Sequence, residues 1–457
     1  MSSIAAPSGD SAVSKLLSDD GKCFNLTGAR EMLTKELSEK YFSAIKEPEK
    51  IEKICLSTKS FGDEAADVAS EVIAKMTSLK IADLSDFIAG RETSIGLSVL
   101  NKISTALAAT QLVELDLSEN ALGPRGIESC RPLLASKETL QRLSFCNDGL
   151  SAEAMESIRD LLLFRGVDQP TSLKSLRFHN NMSGSGGAIA IAKVVEQSPL
   201  LERFELSSTR CGRDGGACLS KALEKCPNLI SVDLSDNTFG AECGEILGNS
   251  MKGKMNLEKF KAGDISLEDD GAAALLKAFC DPSTTSKLEV LSLEANDITV
   301  EGLENLSALF RCQPKMSTLT LDDNCEFGSR GVLRVARALR HTKSLTTLAL
   351  KACDIKRKGA VALAKALASN KGNFSSKLTI LLDENRISSA GMEAVSKVFE
   401  SSLKNVACLG PMEDNDDEAS DDEEFDDDDV KADVVAESKT TPPGDDDLSG
   451  ALDKLAL

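Results

Sequence analysis

The chain has 457 residues, a formal net charge of -20, 4% aromatic residues, no tryptophan and two histidines. Its thirteen cysteines include no C-x-x-C pair, so neither zinc-ligand spacing nor a nucleophile–base pairing stands out. No apolar run opens the chain as a signal peptide would, and none is long enough to span a membrane.

The charge is concentrated at one end. Residues 411–457 hold 19 Asp and Glu against 3 Lys and Arg, whereas residues 1–410 hold 54 against 50. A tail of that sign repels nucleic acid and membrane surfaces and attracts basic protein patches. Residues 1–21 are rich in Ser, Ala, Gly and Asp, lack periodicity, and read as a disordered N-terminus. Residues 22–50 read as a cap over a stacked array. In it, a strand-like entry at Phe24 leads to a helix ending near Ile45. Thr27 is placed to cap its first turn, and Ala29, Met32, Leu33, Leu37 and Phe42 roughly follow helical spacing.

From residue 51 to 410 the chain is periodic. The pattern L-x-x-L-x-L-x-x-N recurs as LVELDLSEN from Leu112, LKSLRFHNN from Leu173, LISVDLSDN from Leu229, LEVLSLEAN from Leu288 and MSTLTLDDN from Met316. The copy from Leu140, LQRLSFCND, carries Asp148 at the ninth position. Degenerate copies start at Ile51 and Leu79, others at Leu201, Leu257 and Leu345, and a last one near Lys377, about 12 in all. Steps run from 28 to 33 residues, with inserts at 164–169 and 281–286. Each second half, such as GGAIAIAKVVEQ (186–197), is a helical stripe with glycine at its start, where backbone can approach the next repeat. The fold class is therefore an α/β leucine-rich-repeat solenoid, a crescent with parallel strands on the concave face and helices outside. The acidic run at 413–429, with 13 acids in 17 residues, cannot bury enough to fold, so residues 411–457 read as a disordered acidic tail. The cysteines read as reduced thiols, mostly packed in the core, in a cytosolic or nuclear compartment.

Such an array points to binding more than to catalysis. Ninth-position asparagines (Asn120, Asn181, Asn237, Asn296, Asn324) turn inward as a buried ladder that satisfies backbone groups. Asn147 and Asn180 stand one position earlier, so their amides point out at the rim. His179 and His341 lie far apart in sequence. A lone His179 reads as an exposed strand-edge side chain.

The runs DLSDFIAGR (83–91), DLSENALGPRGI (116–127), CNDGLSAEA (146–154), FHNNMSGSGGAIAIAKVV (178–195) and SSTRCGRDGG (207–216) together resemble the Ran GTPase-activating proteins, most closely the plant-type branch. EANDITVEG (294–302) and the acidic tail extend the likeness over residues 22–430. The resemblance implies a ribonuclease-inhibitor-like crescent that accelerates GTP hydrolysis by the small GTPase Ran in nucleocytoplasmic transport. It implies no arginine finger and no cofactor of the chain's own: GTP and Mg²⁺ are bound by Ran. It assigns to Asn147 the orienting of Ran's catalytic machinery and to Arg91 a contact with Ran's switch region. Asn180, Asp148 and Asp116 join the expected partner-binding set. A Ran-binding protein or transport receptor is a second candidate partner. Nucleic acid and membrane insertion are not expected.

Some positions depart from the family. The lysine two residues after the loop arginine in the fungal branch is Thr93 here. No Trp-Pro-Pro anchoring domain and no animal-type C-terminal domain are recognisable, which leads to the expectation of a cytoplasmic protein, with perinuclear or partly nuclear placement as the alternative. The competing function is a non-catalytic scaffold or inhibitor whose acidic tail binds basic proteins, as in acidic nuclear phosphoproteins. Those arrays are shorter. A ribonuclease-inhibitor-like or immune-receptor fragment would need neither the FIAGR loop nor the tail.

Overall fold

The computed structural model describes residues 16–420 apart from residues 136, 165–168, 282, 285, 373, 375, 376 and 417. Two compact units meet in the sequence after Asn296. In the first, short strands alternate with helices: β1 (Cys23–Asn25), β2 (Glu31–Leu33), β3 (Lys53–Cys55), β4 (Lys59–Phe61), β5 (Ile81–Asp83), β6 (Glu114–Asp116), β7 (Arg142–Ser144), β8 (Ser175–His179), β9 (Arg203–Ser207), β10 (Ser231–Asp233), β11 (Lys259–Lys261) and β12 (Val290–Ser292). All but β2 and β4 form one parallel sheet in sequence order, as helical crossovers require. The register is regular: Leu115 lies opposite Leu143, and Leu143 opposite Leu176. The second unit repeats the scheme with β13 (Thr318–Thr320), β14 (Thr347–Ala349), β15 (Leu378–Leu381) and β16 (Ala407–Leu409).

The leucines of the motif face inward. Leu112, Leu115 and Leu117 are at most 1% exposed, and each repeat's second half supplies a helix, such as Thr93–Leu107, Ala152–Leu162 or Gly184–Glu196. The alternate strand positions stay open, which is the period-two pattern of a sheet covered on one face. Glycines at the helix starts do what the repeat needs. A Cβ on Gly244 would lie 2.3 Å from Gly271 Cα, so these two helices touch through backbone.

The asparagine ladder is present as expected. Asn181 donates from Nδ2 to Phe145 O (2.8 Å) and accepts at Oδ1 from Leu150 N (3.0 Å), and Asn237 bridges Leu206 O and Cys211 N in the same way. Each such bond satisfies a backbone group that the turn leaves without a ladder partner. Thr209, Ile265 and Cys353 fill the slot in other turns and are fully buried.

Three boundaries differ from the sequence reading. Thr27 does not cap the first helix; its hydroxyl pairs with Ser57 Oγ at 2.7 Å. Glu31–Leu33 instead pairs in parallel with Lys59–Phe61, and the helix Lys35–Phe42 begins after Thr34, whose hydroxyl accepts from Leu37 N. At the other end, Asn415 lies beyond the expected limit at Gly410, yet it is 8% exposed and is a further rung. Its Oδ1 accepts from Asn385 N (3.0 Å) and its Nδ2 donates to Leu382 O (3.1 Å). Acidic neighbours hide this rung in the sequence, because composition there outweighs one asparagine. Leu16 to Gly21, read as part of the N-terminus, form a turn: Asn25 N donates to Leu16 O, and Leu17 bridges Phe24. Residues 1–15 and 421–457 of the expected tails lie outside the described residues, as does part of each insert.

Candidate functional site

The residue before the ladder slot has a left-handed backbone in successive repeats of the first unit. Its φ is +65° at Glu119, +56° at Asn147, +50° at Asn180, +53° at Ser208, +57° at Asp236 and +50° at Asp264. Asn and Asp tolerate this region better than most residues, which accounts for part of the eighth-position pattern without any function. The conformation turns successive side chains out along one rim. Asn147, Asn180 and Glu119 are exposed there.

These three are joined. Asn147 Nδ2 donates to Glu119 Oε1, and Asn147 Oδ1 accepts from Asn180 Nδ2 at 2.6 Å. The backbone N–H of Asn147 is held by His179 O at 2.9 Å. Asn147 and Asn180 border a depression of about 630 Å³, which also involves Met182, Arg210, Asp236 and Asp264. Met182 is 57% exposed, an apolar side chain beside the carboxamides.

Asp148 is a correction. It was expected at a partner surface but is 1% exposed, because the ninth position faces inward. Its Oδ1 accepts from Asn120 N at 2.8 Å, while the buried Oδ2 has no hydrogen-bond partner. Burial pushes its carboxyl up to about 8, and the charges of Asp116 and Glu119 add to the shift. The group is therefore a neutral acid at pH 7, standing in for the asparagine of the other rungs.

Asp116 is half-buried on the open face of β6, where its Oδ1 accepts from Ser118 N at 2.9 Å. The same face carries ion pairs between neighbouring strands. Arg142 meets Glu114 at 2.7 Å and Arg177 meets Glu205 at 2.7 Å. The Glu205 bond raises the Arg177 guanidinium above its ordinary value. His179 is not solitary on this face: its Nδ1 lies 2.9 Å from Ser207 Oγ.

Arg91 lies in the loop before the helix Thr93–Leu107 and is half-buried. Its Nε donates to Ser60 Oγ (3.0 Å), and its Nη2 donates to Ser60 O (2.5 Å) and Leu33 O (3.2 Å). Burial lowers its guanidinium from the ordinary value. The arginine thus fastens the β2 and β4 turns and does not reach out as a free side chain. The fold joins Asn147 to Asn180; Arg91 bonds only to the N-terminal turns. Thr93 is exposed at the first turn of its helix.

Sequence reasoning missed Glu119, Asp236, Asp264 and Met182. The signal was available for the first three, which occupy the same register as Asn147 in their own repeats. Reading the eighth position across all copies would have found them.

The Leucine Rich repeat family matches at residues 109–129, 225–245, 286–307 and 341–364. RAN GTPase-activating protein 2 of Arabidopsis thaliana is 38% identical over 393 residues, covering 85% of this chain and 69% of that protein. RAN GTPase-activating protein 1 of the same plant is 44% identical over 92 residues, 20% of this chain and 17% of its own length. Ran GTPase-activating protein 1 of Xenopus laevis is 35% identical over 138 residues, 29% of this chain and 23% of its own. Among solved structures, an internalin of Listeria monocytogenes superposes with a TM-score of 0.46 at 14% identity, over 80% of this chain and 87% of that one.

Proposed function

The chain belongs to the Ran GTPase-activating protein family, and we propose from that membership that it accelerates GTP hydrolysis on Ran by offering the Asn147 rim to Ran's catalytic machinery. The observation that carries the site reading is the exposed Asn147 carboxamide, bonded to its rim neighbours and beside a depression. Phosphoryl transfer is catalysed chiefly by positioning and electrostatics. A carboxamide that orients the attacking water or the residue that holds it contributes without covalent chemistry.

Ran supplies the nucleotide and Mg²⁺ in this reading, and the activator brings no cofactor. Three hydrogen bonds hold the Arg91 guanidinium within its own fold, which supports the reading that Arg91 does not enter Ran's phosphate site. It serves Ran by shaping the N-terminal loop surface. The thirteen cysteines form no disulfide among the described residues, which fits a reducing compartment, cytosolic or nuclear; the role in nucleocytoplasmic transport favours the cytoplasm. No helix among the described residues is long and apolar enough to cross a membrane.

Single-turnover hydrolysis of Ran-bound GTP tests the reading. Wild type accelerates hydrolysis, and Asn147→Ala loses roughly two orders of magnitude in maximal rate, the scale expected of a misplaced orienting group. Arg91→Ala raises the concentration needed for half-maximal acceleration more than it lowers the maximal rate. No acceleration by wild type refutes the function. Full activity of Asn147→Ala refutes the site while leaving the family intact.

A further inference from the structure

A carboxamide can turn over by half a rotation, which exchanges its donor and its acceptor. On the rim, that ambiguity has been removed for Asn147. Glu119 presents a carboxylate, which only accepts, so it selects the NH₂ side. Asn180 Nδ2 meets the oxygen at 2.6 Å, and the same orientation satisfies both neighbours. The arrangement follows from the repeat itself. In-register pairing of β6, β7 and β8, followed by left-handed residues at Glu119, Asn147 and Asn180, stacks the three side chains in one row.

We infer that Glu119 and Asn180 are positioning residues for GTPase activation: they hold the Asn147 carboxamide in one orientation before Ran arrives. Asn147 spends one N–H on Glu119 and one lone pair on Asn180. The other N–H and the other lone pair are then offered at defined places. The inference rests on the function proposed above. Without Glu119 the amide samples both orientations, and part of the encounter complex carries a donor where Ran needs an acceptor. Such a loss falls on the maximal rate and spares affinity, since a group fixed in advance costs nothing to orient at the moment of reaction.

The test is a double-mutant cycle on the full chain, read by single-turnover hydrolysis of Ran-bound GTP over a range of activator concentrations. Glu119→Ala lowers the maximal rate by roughly tenfold, with half-saturation changed by less than about twofold. Glu119→Gln offers an acceptor toward Asn147 Nδ2 in only one of its own two amide orientations, and recovers part of the rate. In an Asn147→Ala background, Glu119→Ala and Asn180→Ala each add nothing, because both act through Asn147. The inference is overturned if Glu119→Ala retains the full rate, or if its loss persists undiminished in that background. Should Glu119→Ala disturb its own left-handed turn, the Glu119→Gln variant carries the comparison: a rate as low as that of Asn147→Ala overturns the inference. A wild-type chain without any acceleration removes both this inference and the function beneath it, whereas an active wild type with additive variants removes this inference alone.

Discussion

At Asp148 the chain places a carboxyl group where neighbouring turns place a carboxamide. The slot offers N–H groups to one atom and carbonyl oxygens to the other, as the bonds of Asn181 and Asn237 show. A carboxylic acid fits it only with its proton on. Its folded value of about 8 lies well above the ordinary carboxylate range, so between pH 4 and 8 the unfolded chain releases a proton that the native chain keeps. Native stability therefore falls as pH rises through that window and levels off above it. Asp148→Asn removes the slope and stabilises the protein at pH 7 by on the order of 3 kcal/mol. Denaturant unfolding at pH 5, 7 and 9 checks this, and an unchanged slope in Asp148→Asn refutes it. Arg91 is the second residue whose loss reaches stability. Arg91→Ala removes the hydrogen bonds to Ser60 Oγ, Ser60 O and Leu33 O that tie the two turns together, and lowers stability by about 1–3 kcal/mol. A melting temperature equal to wild type contradicts that role.

Among the elements, helix ends are tied by side chains from the following turn. Lys137 Nζ donates to Leu107 O (2.9 Å), Ala108 O (2.7 Å) and Thr110 O (2.7 Å), at the end of the helix Thr93–Leu107. A cation suits the negative end of a helix dipole, and its three donors match three carbonyls. Burial pulls its ammonium down to about 8, the cost of placing an unpaired charge there. Lys254 Nζ makes the corresponding bond to Glu224 O at 2.9 Å. Lys137→Ala takes the side-chain donor from Ala108 O and Thr110 O, while Leu107 O keeps Thr110 N and Oγ1, and destabilises by about 1–3 kcal/mol. Hydrogen exchange checks it: protection drops first in the last turn of Thr93–Leu107, and uniform protection argues against the cap. Gly244→Ala is expected to destabilise by a similar ~1–3 kcal/mol, because the nearest atoms are backbone and cannot swing aside.

On the scale of the whole molecule, the ladder ends at Asn415 and the acidic run begins within it. A chain cut after residue 410 loses the rung that satisfies Asn385 N and Leu382 O, whereas a chain cut after residue 420 keeps it. The first is expected to melt earlier than the second, and equal melting curves would show that the rung is dispensable. Removal of residues 421–457 takes away 14 acids and 3 bases, and is expected to slow association with a basic partner surface at low salt and to matter little at high salt. Activation rates over a salt series, with and without that segment, measure the effect.

What the chain's residues determined unaided is the repeat. The spacing of leucines dictates which side chains are buried, because a parallel strand followed by a helix has one way to stack on its copy. The ninth-position asparagines follow from the backbone groups that such turns leave unpaired. Asn147 was legible because it misses that slot by one residue. The tertiary structure decided the rest, since those outcomes depend on neighbours 28 to 58 residues away in the chain. It drew Arg91 onto Ser60 and Leu33, buried Asp148 as an acid, and joined Glu119, Asn147 and Asn180 into one row. Period and composition describe a single turn of the chain. Hydrogen bonds between turns depend on which side chains a common register places side by side, and only the folded stack supplies that.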